Sequence, residues 1–300
     1  MAAMRRLLML GCQSAIPGSY MHPGCLDFDT HFPPDERENR RNLRLWEDLD
    51  QEPPTLEAWA MYWRHEGTFD LFASPALHGT PWHASVMDEY VAWAEGQARE
   101  RGLKQISPFW ALETDLVLRG LMQARGFEEI HFDLVPPLFG RSLDELPPVR
   151  LPDGFSVQGV GSPEDGRLRA WVTHGAFRSR DDWEQVAGEY AQFMRSAVYD
   201  GERDLFVRSP DGRGASACTI WFDTLNGVGL FEPVATHPDF QGKGLGKAVM
   251  AEGLRRMKAA GMDRAIVGFD PSNKAALALY TGMGFQAVCY FVGYRKEVGI

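Results

Sequence analysis

The pattern Asp115-x-x-Leu118-x-x-Leu121-Met122-x-x-x-Gly126-Phe127 recurs in the second half of the chain as Asn273-x-x-Ala276-x-x-Leu279-Tyr280-x-x-x-Gly284-Phe285. Each copy reads as a short helix that ends at a glycine and is followed by a strand. A chain that repeats such a unit is expected to fold as two similar bodies. At 300 residues, 44% of them hydrophobic, it has the material for two cores. The division is placed in Leu138 to Gly154, where Pro147, Pro148, Pro152 and Asp153-Gly154 cluster. The expected domains are therefore 1–146 and 147–300.

A second element accompanies the repeat. Val234-Ala235-Thr236-His237-Pro238-Asp239-Phe240-Gln241-Gly242-Lys243-Gly244-Leu245-Gly246-Lys247 reads as a strand, a glycine-rich turn and a helix N-terminus. Such a turn leaves backbone N–H groups unpaired at the positive end of a helix dipole, and its missing side chains let a phosphate approach. It is not a Walker loop, because Gln241 and Ala248 stand where a glycine and a Ser or Thr are required. Nor is it a dinucleotide fingerprint, because Lys247 occupies the third glycine position. In the first half, Asp70 to His83 aligns with this loop on Pro75 and Pro238. There His78 replaces Gln241, Pro81 replaces Gly244 and His83 replaces Gly246, while Asp115 and Met122 replace Asn273 and Tyr280. Proline removes an amide donor and histidine fills space, so the first copy is expected to be degenerate and not to bind phosphate.

The two motifs of the second half, about 30 residues apart and in this order, resemble the GNAT superfamily of acyl-CoA N-acyltransferases. Gln241, Gly244 and Gly246 match the family's phosphate loop, Gln/Arg-x-x-Gly-x-Gly/Ala. Asn273, Ala276, Leu279, Tyr280, Gly284 and Phe285 match its later helix. The resemblance covers roughly residues 150–300. It implies an α/β (α+β) fold of two GNAT-like domains, each a mixed, mostly antiparallel sheet flanked by helices. It also implies acetyl-CoA (coenzyme A) as co-substrate, with no metal. Val234, Ala235, Thr236, Gln241, Gly242, Lys243, Gly244, Leu245, Gly246, Lys247 and Asn273 are the cofactor-binding positions it points to. Tyr280 lies where the family places a tyrosine near the thioester sulfur, and a phenol there can protonate the departing thiolate. A tandem arrangement with a decayed first copy also resembles the mycothiol synthases. Their acceptor is not carried over, since no residue here matches it.

Glu232, in Leu230-Phe231-Glu232-Pro233-Val234, is the candidate base: a carboxylate among apolar neighbours has a raised pKa suited to accepting a proton. Pro233 cannot donate to a sheet ladder, so a bulge or parted strand edge is expected there, with a free amide near Val234 or Ala235. The expected function is transfer of acetyl to a primary amine of a small molecule, by direct attack on the thioester. The alternatives are acetylation of a protein amino group and a non-catalytic acyl-CoA sensor.

Spacing predicts strands near 43–49, 56–64 and 68–74, helices over 83–101 and 113–125, and a strand from Glu128 to Val135. Met4 to Cys12 mimics a lipoprotein signal but has too short an apolar core, and is read as a first strand. Gln13 to Asn42, rich in Pro, Gly and charge, is read as loop. The second half is read as strand 155–160, helices 164–177 and 181–198, strands 203–208, 215–223 and 227–236, helix 245–260, strand 264–269, the Tyr280 helix and a last strand from Phe285 to Tyr294. Trp183, Val186, Tyr190, Phe193 and Ala197 form a mainly core-facing stripe.

The net charge is −10, with 13 basic and 23 acidic residues in 1–149 against 18 and 18 in 150–300. The acidic first half argues against nucleic acid and anionic membranes as partners; it reads as a solvated acidic face, the alternative being a surface that attracts a cationic amine to the neighbouring site. Cys12, Cys25, Cys218 and Cys289 form no C-x-x-C pair and no zinc set, which points to reduced thiols, a cytoplasmic location and no metal. A monomer or homodimer is expected.

Overall fold

A computed structural model describes residues 1–14, 20–32, 41–63, 67–108, 110–130, 137–177, 182–270 and 272–299. The first half contains α1 (Ala2–Ser14), α2 (Pro23–His31), β1 (Leu43–Asp48), β2 (Thr55–Tyr62), β3 (Thr68–Ala73), α3 (Pro81–Glu100), β4 (Gln105–Pro108), α4 (Leu116–Ala124), β5 (Glu128–Ile130) and β6 (Pro137–Ser142). The second contains β7 (Ser156–Gly159), α5 (Pro163–Ala176), α6 (Trp183–Phe193), β8 (Asp204–Arg208), β9 (Gly214–Asp223), β10 (Val228–Thr236), α7 (Leu245–Ala259), β11 (Arg264–Gly268), α8 (Lys274–Gly282), β12 (Gln286–Tyr290) and β13 (Gly293–Glu297). The expected strand stretch after Ile130, residues 131–135, lies outside the described residues.

The repeat is visible in the backbone. Asp115 and Asn273 both cap their helices, accepting from Leu118 N at 2.9 Å and Ala276 N at 3.0 Å. Gly126 and Gly284 end the turns that follow with φ of 76° and 82°, a left-handed conformation that favours glycine. The sheets run β1-β2-β3-β4-β13-β5 and β8-β9-β10-β11-β6-β12, the second extended by β7 beyond β8. Both are mostly antiparallel, with one parallel pair each, β3 with β4 and β10 with β11.

The two halves exchange a strand. β6 leaves the first half and lies antiparallel between β11 and β12, and β13 leaves the second half and lies antiparallel between β4 and β5. Burial follows the exchange: Tyr294 and Val298 complete the core around Tyr62, Phe69 and Tyr90, while Leu143 joins the core around Ile220, Phe231, Val249 and Leu254. A cut at 146/147 therefore divides the chain without dividing the sheets. Residues 138–142, read as the start of the linker, are ladder strand; the proline cluster comes after them. The single strand expected from Phe285 to Tyr294 is two strands in different sheets.

Two further expectations are corrected. The segment from Met4 to Cys12 is helical, because Met4, Leu7 and Leu8 recur on one face and bury against Trp59, Met61 and Phe72. Within 13–42 there is a helix, α2, not a loop. His22 caps it, accepting from Gly24 N at 3.0 Å, and Pro23 occupies its first turn. Gly24 lets α2 approach β9 closely, where an added Cβ would stand 2.3 Å from Trp221. Phe28 and Phe32 meet Phe193 of α6 at ring distances of 6.0 and 5.7 Å. An element of the first half thus packs on the second sheet.

Candidate active site at the parted edge of the second sheet

β10 pairs with parallel β11 only from Val228 to Phe231, while its antiparallel pairing with β9 continues to Thr236 across a bulge between Phe231 and Val234. The edge toward β11 is therefore open from Glu232 onward, where Pro233 could not have donated to a ladder. His237 N donates to Ala215 O on the β9 side. The two-residue alternation of a strand then turns the amide of Ala235 the same way and those of Val234 and Thr236 toward the open edge. Val234 packs with the α7 core and Ala235 with the α5 side.

The turn after β10 leads directly into α7. Gly242 and Gly244 have φ of 77° and 76°, and an added Cβ at either would meet nothing, so backbone conformation and not space calls for glycine there. Gly244 is the N-cap of α7 and supplies no side-chain cap. The first amides of a 15-residue helix are consequently left for solvent or a ligand. Gly246 faces Thr236 Oγ1, 3.3 Å from where a Cβ would stand, so a larger residue would fill the cradle. Leu245 is buried and anchors the loop; Gln241, Gly242, Lys243, Gly244 and Lys247 are exposed. Gln241 Nε2 lies 3.4 Å from Thr236 O, and Lys243 Nζ sits 5.2 Å from the Phe240 ring centroid. Asn273 is exposed, and its side chain is engaged in capping α8.

The corresponding turn of the first half is closed on itself. Gly79 keeps a φ of 78°, but its amide donates to His83 Nδ1 at 3.1 Å, His83 N donates to Thr80 Oγ1 at 3.3 Å, and Pro81 has no N–H. His83 is buried, which together with His78 lowers its pKa to about 4 and keeps it neutral. The amides of Gly79 and His83 are thus engaged within the turn itself. Among the described residues, no three His, Cys, Asp or Glu side chains gather in a way that could hold a metal.

Glu232 lines a cavity of about 530 Å³ beneath the parted edge. Burial, and secondarily the charge of Asp29, push its carboxyl up to about 7. Tyr280 is buried with its ring 5.2 Å from that of Phe269, a wall of the same cavity. Burial raises its hydroxyl, with further contributions from Glu232 and Cys218, so it holds its proton at neutral pH. Other walls come from the first half and from the crossing segment: His22, Cys25 and Asp29 at and on α2, Trp110, and Phe291. None of these was singled out in the sequence as part of a site. The docking of α2 onto β9 brings the first three here, and the segment between β12 and β13 brings Phe291; no local pattern encodes those contacts.

Residues 168–285, which hold the parted strand, the uncapped helix and Tyr280, match the family model Acetyltransferase (GNAT) family. That match covers 118 of the 300 residues. Mycothiol acetyltransferase of Streptomyces avermitilis is 27% identical over 191 residues, covering 63% of this chain and 61% of that protein. The one of Saccharomonospora viridis is 29% identical over 167 residues, covering 51% and 52%. The chain thus spans between about half and two thirds of the length of the curated relatives it matches. A tandem GNAT protein from the clavulanic acid biosynthesis pathway superposes with a TM-score of 0.67 at 14% identity, over 100% of this chain and 95% of that one. A GCN5-related N-acetyltransferase from Sphaerobacter thermophilus gives 0.62 at 18%, over 99% and 92%. Both superpositions extend over the two halves, so the fold is a tandem of two GNAT-like units.

Proposed function

We propose that the protein is an acetyl-CoA-dependent N-acetyltransferase acting on a primary amine of a small molecule, with a single cofactor site in the second half. The observation that carries this reading is the parted β10–β11 edge, which has Glu232 at its mouth and runs into an uncapped helix N-terminus. Acetyl-CoA would supply an acetyl group activated as a thioester. Gly242 to Lys247 fit its pyrophosphate through their amides and the nearby lysines, and Val234 and Thr236 offer amides to its extended arm. Gly246 leaves room for close approach. Asn273 belongs to the site as the cap that fixes α8 and hence Tyr280. Glu232 takes a proton from the amine, and Tyr280 gives one to the departing thiolate, so one proton enters and one leaves the protein per transfer. A cavity of about 530 Å³ has the size of small-ligand sites, which favours a small acceptor. Free thiols at all four cysteines, and the lack among the described residues of a helix long and apolar enough to cross a membrane, accord with a cytoplasmic enzyme.

Release of CoA thiol from acetyl-CoA with a panel of primary amines tests this. Tyr280→Phe is expected to keep cofactor affinity and lose roughly 10²-fold in turnover. Gly244→Pro cannot adopt a φ of 76°; it is expected to weaken acetyl-CoA binding by about 2 kcal/mol or more in calorimetry. One equivalent bound per chain without turnover on any amine would favour the sensor alternative. Full affinity in a folded Gly244→Pro protein would remove the loop from the binding site.

A further inference from the structure

Asp29 and Glu232 face one cavity from different halves of the molecule, Asp29 from α2 and Glu232 from β10. Among the described residues neither carboxylate has an ion pair or a hydrogen bond. Two acids lining one cavity without a cation between them are an unbalanced arrangement. The other polar groups of the cavity supply no positive charge. His22 is held by Gly24 N at Nδ1 and lies 3.1 Å from Val228 O at Nε2, a pair of contacts that requires the neutral ring. Burial raises the Cys25 thiol, so it stays protonated. Trp110 and Phe291, in edge contact at 4.6 Å, together with Phe269, give aromatic surface of the kind on which organic cations rest. A volume of about 530 Å³ lies within the range of small-ligand pockets.

We propose that this cavity receives the acceptor as a compact organic ammonium with an apolar or aromatic body, and that Asp29, contributed by the otherwise inert first half, is the residue that reads its charge. The proposal rests on the acetyl-transfer reading of the same site and names the class of its acceptor. The bound ammonium gives one proton to solvent to become the attacking amine, and Glu232 takes the second as the thioester is attacked, while Asp29 holds the site's negative charge. Amines that also carry a carboxylate or phosphate are rejected, because a second anion would face Asp29 with no cation to meet it.

The test uses benzyltrimethylammonium, which carries a fixed charge and no N–H to transfer, and benzyl alcohol as its neutral counterpart. Calorimetry on the full chain at pH 8 is expected to show the cation binding about 10-fold or more tightly than the alcohol, with that preference lost in Asp29→Asn and restored in Asp29→Glu. Equal affinity for the two probes, an unchanged preference in a folded Asp29→Asn protein, or no binding of the cation to the wild type overturns the proposal. Turnover is not needed for this readout, so it stands apart from a failure of acetyl transfer. Conversely, acetylation of amines with a KM indifferent to Asp29→Asn would keep the enzyme reading and sink this one. Because the charge of Asp29 raises the Glu232 carboxyl, Asp29→Asn should also move the acidic limb of the pH–rate profile downward. A purely structural role for Asp29 would leave that limb in place.

Discussion

Asp29 and Glu232 are held in the fold with carboxyls near 7, against ordinary values of 3.8 and 4.5. A carboxyl raised on folding binds its proton more tightly in the native state than in the unfolded one, so its contribution to stability falls as pH rises from the ordinary to the raised value. Asp29→Asn removes one such group. It should therefore melt higher than the wild type at pH 8, by on the order of 1–3 kcal/mol, and match it near pH 3, below the unfolded pKa. His22 titrates in both proteins and cancels from the difference. A gain of equal size at both pH values would assign the effect to packing instead of ionisation. The same substitution would then improve stability while costing acceptor recognition, the exchange expected of a functional group kept in an unfavourable place. Glu232 could be picked out in the sequence because a lone acid between Phe231 and Pro233 contradicts a buried strand. Asp29 could not, since it sits in a polar stretch where an acid is ordinary.

The elements that were legible are those whose periodicity is set by their own sheet or helix, such as α3, α7 and the strands β8 to β10. α1 was missed because a short apolar run fits a strand as well as a buried helix, and α2 because its aromatic face has meaning only against Phe193 and Trp221 of the other half. Below the site, α5 is fastened to the second sheet by a buried charge. Arg169 donates to Asp204 at 2.7 Å and to Thr219 at 2.8 Å, and the hydroxyls of Tyr190 and Tyr199 close on the same carboxylate. Arg169→Leu strands Asp204 without its cation and should cost about 3–5 kcal/mol in urea unfolding. Arg169→Leu combined with Asp204→Leu should recover most of that loss. A single variant as stable as the wild type would mean that water or the tyrosines already compensate the carboxylate.

At the scale of the whole molecule, the repeat revealed that there are two bodies but not that they trade β6 and β13. Nothing in Pro137–Ser142 or Gly293–Glu297 distinguishes a strand bound for its own sheet from one bound for its neighbour's. Expressing 147–300 alone would leave β11 and β12 without the strand between them. That fragment is expected to show no cooperative thermal transition, and mixing it with 1–146 should restore one. A sharp melt and acetyl-CoA binding by 147–300 alone would show that the exchange is dispensable. The exchange also fixes an order of events during synthesis. β5 leaves the ribosome long before β13, so the first sheet waits with a gap between β4 and β5 until β13 has emerged. Neither half can be finished while the other is still being made, and the nascent chain has to keep an unpaired strand edge from meeting other chains throughout translation.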